Sequence, residues 1–141
     1  MKKSISIFLT VFMVILLSFP VYAAETSSYT NESEMSPMFA YIWQMSAGLG
    51  IDSSGKAHYS GSVDVASQYT SELTVSLQKE TNNSWSTVKS WADTGTGPGL
   101  IVEGDYYVSH GTYRVCSTVN VYNSSGTLLE TASIYSAEKT Y

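Results

Sequence analysis

One cysteine, Cys116, stands in a chain of 141 residues, so no intrachain disulfide can hold the fold. Core packing has to do that alone. Histidine is almost as scarce. His58 and His110 lie 52 positions apart, without HExxH spacing and without a second His or Cys nearby, which excludes a zinc site of ordinary ligand spacing. Past the N-terminal region the basic side chains are Lys56, Lys79, Lys89, Arg114 and Lys139. They are scattered singly, whereas a protein that tracks phosphates clusters them, which argues against nucleic acid and disfavours anionic membrane surfaces as partners, so neither is expected. There is no glycine-rich phosphate loop, no nucleophile elbow and no Ca²⁺ loop of EF-hand spacing. Only one long apolar run occurs, at the N-terminus, and no later stretch approaches the length of a membrane span.

That run reads as the middle of a secretory signal peptide. Lys2 and Lys3 supply a positive start, and Ile5 to Phe19 is apolar apart from Ser6, Thr10 and Ser18, short of the roughly 20 residues that span a bilayer. Pro20 breaks the segment, and Val21-Tyr22-Ala23 presents small residues to a signal peptidase, which predicts cleavage after Ala23, with Ala24 as the near alternative. No cysteine follows to carry lipid, and the chain ends in Lys139-Thr140-Tyr141 without a hydrophobic tail or polybasic sorting end. The expectation is a secreted, extracellular protein, free or loosely associated with a cell wall, with no membrane contact after cleavage.

Loss of residues 1–23 leaves 118 of the 141, enough for one domain and too few for two. It also removes two of the seven basic side chains while all twelve acidic ones stay, taking the net charge from −5 to −7. Residues 24–38 carry Glu25, Glu32 and Glu34 among Ser, Thr and Asn. They show no apolar period and read as a flexible acidic leader.

From Phe39 the period is two. Phe39, Tyr41, Trp43, Met45, Ala47, Leu49 and Ile51 alternate with Ala40, Ile42, Gln44 and Ser46, the pattern of a half-buried strand. It recurs at Tyr59, Val63 and Val65, at Leu73, Val75 and Leu77, and at Tyr113, Val115, Val119 and Val121. Shorter strands are expected at 85–91, 100–109 and 128–137. Turn chemistry separates them at Asp52-Ser53-Ser54-Gly55, Asn82-Asn83-Ser84, 94–99 and Asn123-Ser124-Ser125-Gly126. About seven strands and no amphipathic helix predict an all-β domain over 39–141. The expected form is an antiparallel two-layer sandwich of the immunoglobulin/fibronectin kind, with a small β-barrel as the alternative. Gly111-Thr112-Tyr113 is the candidate corner before the sixth strand, although Cys116 has no partner for the disulfide of a true immunoglobulin domain.

The set Leu77-Gln78-Lys79, Trp85-Ser86-Thr87-Val88-Lys89-Ser90-Trp91, Tyr106-Tyr107-Val108-Ser109, Tyr113-Arg114-Val115 and Val121-Tyr122-Asn123-Ser124-Ser125-Gly126 resembles a family of small exported proteins from Gram-positive bacteria. The shared domain of that family has no assigned function. The resemblance spans roughly residues 45–141 and brings no catalytic residues with it. Cys116 departs from its pattern, where a charged or polar side chain suits an outer face.

Three groups of residues are candidates for chemistry. Glu103 and Asp105 flank Gly104. In an extended strand they share a side about 6.5 Å apart, within the range of a glycosidase pair or a weak Ca²⁺ site; the plainer alternative is a solvated loop turning through Gly104. Cys116 alternates with Val115 and reads as an outward thiol, incidental in a monomer or linking a dimer. Trp43, Trp85 and Trp91 combine apolar bodies with polar tips and are the candidate ligand-binding residues, with Trp85 and Trp91, six apart, expected on one face. At least one of these tryptophans is expected in the core. No cofactor is expected. The leading expectation is a non-catalytic secreted domain that binds a cell-wall polymer, a glycan or a protein. A secreted effector or antimicrobial-like protein is the first alternative, and a hydrolase using Glu103 and Asp105 is the weaker second.

Overall fold

The structure, a computed structural model, describes residues 39–141. The signal segment, its cleavage after Ala23 and the acidic leader lie outside the described residues. Eight strands follow one another: β1 (Ile42–Ile51), β2 (Lys56–Val65), β3 (Thr70–Thr81), β4 (Ser84–Thr96), β5 (Leu100–Tyr107), β6 (Thr112–Tyr122), β7 (Leu128–Tyr135) and the two-residue β8 (Lys139–Thr140). All pairings are antiparallel. One sheet has the order β1-β2-β5, and the other has β4-β3-β6-β7 with β8 also on β6. Neither sheet closes on itself, so the expected sandwich is what forms and the barrel is not. In the constant-type immunoglobulin order the fourth strand belongs to the same sheet as the first two. Here it pairs with β3 in the other sheet, setting three strands against five. Among the described residues no helix is long and apolar enough to cross a membrane.

The period-two pattern explains the core. Leu73, Val75 and Leu77 of β3 and Val115, Val119 and Val121 of β6 are fully buried. They face Met45, Ala47, Tyr59, Val63 and Val65 of the smaller sheet. Each large apolar side chain so buried contributes about 1.5–3 kcal/mol. The sheets pack tightly at Gly61 of β2, where a Cβ would stand 2.5 Å from both Ser117 Oγ and Val75 Cγ2. Only a residue without a side chain fits there.

The turns are set by local polar chemistry. In Asp52-Ser53-Ser54-Gly55-Lys56, Asp52 Oδ1 accepts hydrogen bonds from Ser54 N (2.8 Å), Ser54 Oγ (2.7 Å) and Lys56 N (3.0 Å). In Asn123-Ser124-Ser125-Gly126-Thr127, Asn123 Oδ1 accepts from Ser125 N (3.0 Å), Ser125 Oγ (2.7 Å) and Thr127 N (2.9 Å). The glycine of each turn takes positive φ, 78° and 80°. One sequence solution thus closes both the β1–β2 and the β6–β7 hairpins. The β3–β4 hairpin uses Asn82 and Asn83, at φ 53° and 59°, the left-handed pair of a two-residue turn.

Tyr113 marks the corner into β6. Its ring is buried and its hydroxyl donates to Ser109 O at 2.8 Å, the return bond of a tyrosine corner. Lys79 Nζ binds Ser109 Oγ and His110 O, both at 3.0 Å, and fastens the same corner to the end of β3. Val115 stands two positions on, where an immunoglobulin domain carries its second cysteine.

Two β-bulges correct the expected faces. Ile42 pairs with Val65 and Gln44 with Asp64, so Trp43 is an extra residue in β1. The phase flips there: Ile42 is buried, whereas Trp43, expected beside Met45, is 63% exposed. In β4, Lys89 pairs with Leu77 and Thr87 with Gln78, leaving Val88 unpaired. Trp85 and Trp91 are therefore on opposite faces of the sheet instead of one.

Candidate functional site

Glu103 and Asp105 lie on β5, which is a strand through Gly104 and not a loop. They share its outer face with Ile101 and Tyr107, all exposed. Gly104 faces inward, and a Cβ there would stand 2.5 Å from the Tyr59 hydroxyl. Asp105 is opposite His58 of β2, and Glu103 is opposite Ser60. The carboxylate of Asp105 is shared: Oδ2 meets Lys56 Nζ at 2.6 Å, and Oδ1 meets His58 Nδ1. Hydrogen bonding to Lys56 holds Asp105 below the ordinary aspartate range against an opposing desolvation, with the charges of His58 and Lys56 helping. A glycosidase acid needs the opposite shift, toward a carboxyl still protonated near neutral pH. Asp105 thus belongs to a cross-strand ion cluster with Lys56 and His58, which Glu103 does not join. Among the described residues no three His, Cys, Asp or Glu side chains are grouped to hold a metal ion.

The two histidines do not meet. His58 is in mid-strand with Asp105, whereas His110 stacks on Tyr141 with ring centroids 4.3 Å apart.

The three tryptophans have three different situations. Trp91 turns inward opposite Val75 and stacks on Tyr59 at 3.7 Å and 13°, with Tyr106 edge-on at 5.8 Å. It seals the margin between β4 and β5 and belongs to the core packing. Trp43 is exposed on the bulge of β1. Trp85 lies on the outer face of the larger sheet, where Arg114 Cζ is 4.2 Å from its ring centroid.

Arg114 of β6 also lies 4.1 Å from the ring centroid of Tyr135 on β7. Its Nε donates to Gln78 Oε1 of β3 at 2.9 Å. The four long strands of the larger sheet, β4, β3, β6 and β7, therefore contribute Trp85, Gln78, Arg114 and Tyr135 in sheet order. Beyond them the face is lined by hydroxyl pairs across neighbouring strands, Ser76 with Ser90 and Thr118 with Ser133, each at 2.8 Å.

Cys116 is on this outer face, as alternation predicts, but it is only 8% exposed. β6 is an interior strand, and Cys116 sits opposite Ser76 on one side and Tyr135 on the other, one outward position from Arg114. A thiol in that position is not the accessible group a linked dimer requires. Its polar contact is with Thr118 Oγ1 at 3.7 Å.

The expected site residues thus separate. Trp91 is structural, Asp105 pairs with Lys56 and His58 on the edge strand while Glu103 stands opposite Ser60 outside that cluster, and Trp85 alone joins a multi-strand arrangement. Arg114, Gln78 and Tyr135 escaped notice as functional residues. Arg114 is the chain's sole arginine on an outward position, which was legible; its meeting with Trp85 and Tyr135 depends on strand register, which was not. No family model, no curated protein and no solved structure matches this chain.

Proposed function

We propose that the chain is an exported, non-catalytic binding domain that contacts a cell-wall polymer or glycan through the outer face of its larger sheet. The observation that carries this reading is the Trp85–Arg114–Tyr135 arrangement on a hydroxyl-lined face. Aromatic rings offer flat apolar surfaces to sugar rings, while the hydroxyls and the guanidinium supply polar contacts around them. The charge of Asp105, tied to Lys56 and His58, supports binding over hydrolysis as the role of the domain. The signal-peptide reading and the resemblance to exported Gram-positive proteins agree with a ligand outside the cell.

Co-sedimentation tests the reading. The exported protein, mixed with purified Gram-positive cell walls and with insoluble polysaccharides, is expected in the pellet, and Trp85→Ala is expected to return it to the supernatant. Trp43→Ala serves as a control for an exposed tryptophan elsewhere. Wild-type protein that stays in solution with every polymer defeats the proposal.

A further inference from the structure

We propose that Arg114 reads an oxyanion, so that the ligand of this face is an acidic glycan whose sugars carry carboxylate or phosphate groups. The inference rests on the binding role just proposed and adds the ligand's charge. Its basis is the incomplete pairing of the guanidinium. Only Nε is engaged, by Gln78 Oε1. No carboxylate among the described residues lies within ion-pair distance of Arg114; the ion pairs there are Lys56–Asp105 and His58–Asp105. The terminal nitrogens have no protein hydrogen-bond partner among these residues. They are not among the buried unpartnered polar atoms, which are Ser71 Oγ and Ser117 Oγ. They are therefore not sealed from solvent, on a residue that is itself half-buried.

That combination is unusual in a chain with twelve acidic and seven basic residues, where an arginine has many carboxylates to choose from. Glu80, opposite Trp85 on β3, and Glu72, which accepts from Tyr122 Oη at 3.3 Å, share the outer face. Neither pairs with Arg114. Two aromatic rings and an amide instead fix the plane of the guanidinium. A planar cation held by its faces and its Nε keeps the paired terminal N–H groups for a bidentate contact with carboxylate or phosphate. Trp85 and Tyr135 on either side supply stacking surface for the sugar that carries the anion. The acidic remainder of the protein repels polyanions elsewhere, which restricts binding to this one position.

Tryptophan fluorescence titration of the full exported protein tests this with three probes: polygalacturonate for carboxylate, a phosphomannan for phosphate, and a neutral β-glucan. Tighter binding of either acidic polymer than of the neutral one is expected, and the preferred polymer tells carboxylate from phosphate. Arg114→Gln is expected to weaken the preferred acidic polymer by about tenfold or more, as for loss of a charge-assisted hydrogen-bonded contact. Arg114→Lys, which keeps the charge without the fork, is expected to fall close to it. Thermal melts of both variants confirm folding, and Tyr135→Phe retains the ring as a second check. Equal affinity for neutral and acidic polymers, or full affinity in Arg114→Gln, overturns the oxyanion role while leaving glycan binding standing. Failure of all three probes and of cell walls to bind wild type overturns both.

Discussion

The hydroxyl of Tyr113 reaches back four residues to the carbonyl of Ser109 at 2.8 Å, closing the corner through which the chain crosses from the small sheet to the large one. The ring is buried and Lys79 Nζ stands 5.4 Å from its centroid, so the bond joins a corner already fixed from the other side. In Tyr113→Phe the packing remains and the bond is lost. A neutral hydrogen bond contributes about 1 kcal/mol net, which for a domain of this size lowers Tm by about 4 °C. Calorimetry or urea denaturation reads the change; an unaltered midpoint means that the corner is held by Lys79 and ring packing alone.

Ser117 and Ser71 carry the buried hydroxyls without partners. Removing such a hydroxyl takes away a desolvated polar atom, so Ser117→Ala is expected to leave stability unchanged or to raise it by about 1 kcal/mol. Gly61→Ala acts in the opposite direction, because its Cβ would press on Ser117 Oγ and Val75 Cγ2. Overpacking of this kind costs about 1–3 kcal/mol. The cost should be smaller in the Ser117→Ala background, where one of the two opposing atoms is gone. Equal costs in both backgrounds would place the strain on Val75.

Much of the architecture is legible in residue order, because alternation reports burial directly. Leu73, Val75 and Leu77, and the valines of β6, are core residues on that ground, and the Asp52 and Asn123 turns carry their own polar instructions. The failures have a single physical source. A bulge shifts the phase of a strand relative to its neighbour, and nothing local to Trp43 or Val88 announces it. Trp43 consequently leaves the core face and Trp85 parts from Trp91. The same dependence hides the candidate site. The outward position of Arg114 follows from its neighbours Tyr113 and Val115, but that Trp85 and Tyr135 converge on it follows only from the register of four strands. Burial of Cys116 is likewise a matter of what stands on the flanking strands.

Cys116 offers a direct check of that burial. At 8% exposure the thiol is expected to react slowly with a disulfide reagent in native buffer and fully in urea, since modification requires opening of the sheet. Non-reducing electrophoresis should show monomer. Rapid native labelling would return the thiol to the surface and revive a linked dimer.

Acid should weaken the domain through Asp105 and Asp52. Hydrogen bonding to Lys56 lowers the Asp105 carboxyl below its ordinary 3.8, and hydrogen bonds from Ser54 and from the backbone of Lys56 and Ser54 lower that of Asp52. A carboxyl depressed in the folded state stabilises it above the unfolded value, and this contribution is lost as pH falls through the folded value. Lys56 has the reverse sign: its ammonium is held above 10.5, chiefly by Asp105, so its contribution is present below the unfolded value and lost as pH rises through the folded one. Urea midpoints should therefore be level near neutrality and fall below about pH 4. In Asp52→Asn the turn geometry is retained, as Asn123 demonstrates. Its curve should lie slightly under wild type at pH 7 and converge with it in acid. Parallel curves would mean that Asp52 takes no part in the acid transition.

Glu130 tests how the two sheets are joined at their edges. It faces inward on β7 beside the extra residue Leu129, opposite Val121, and its carboxylate accepts hydrogen bonds from the backbone amides of Ala40 (3.2 Å), Tyr41 (2.9 Å) and Ile42 (3.3 Å). One side chain of the large sheet thereby holds the entry to β1 in the small sheet. Glu130→Ala strips three amides of their acceptor, and the expected loss is about 1–2 kcal/mol, because the bonds are charge-assisted but partly solvated. Hydrogen exchange should accelerate at Ala40, Tyr41 and Ile42 and remain unchanged at Val75 and Val119 in the centre of the large sheet. Glu130→Gln keeps one acceptor oxygen and should fall between the two. If exchange at all three amides matches wild type in Glu130→Ala, the start of β1 is held by the burial of Ile42 and the contact of Tyr41 with Tyr69, whose rings meet edge to face at 5.2 Å.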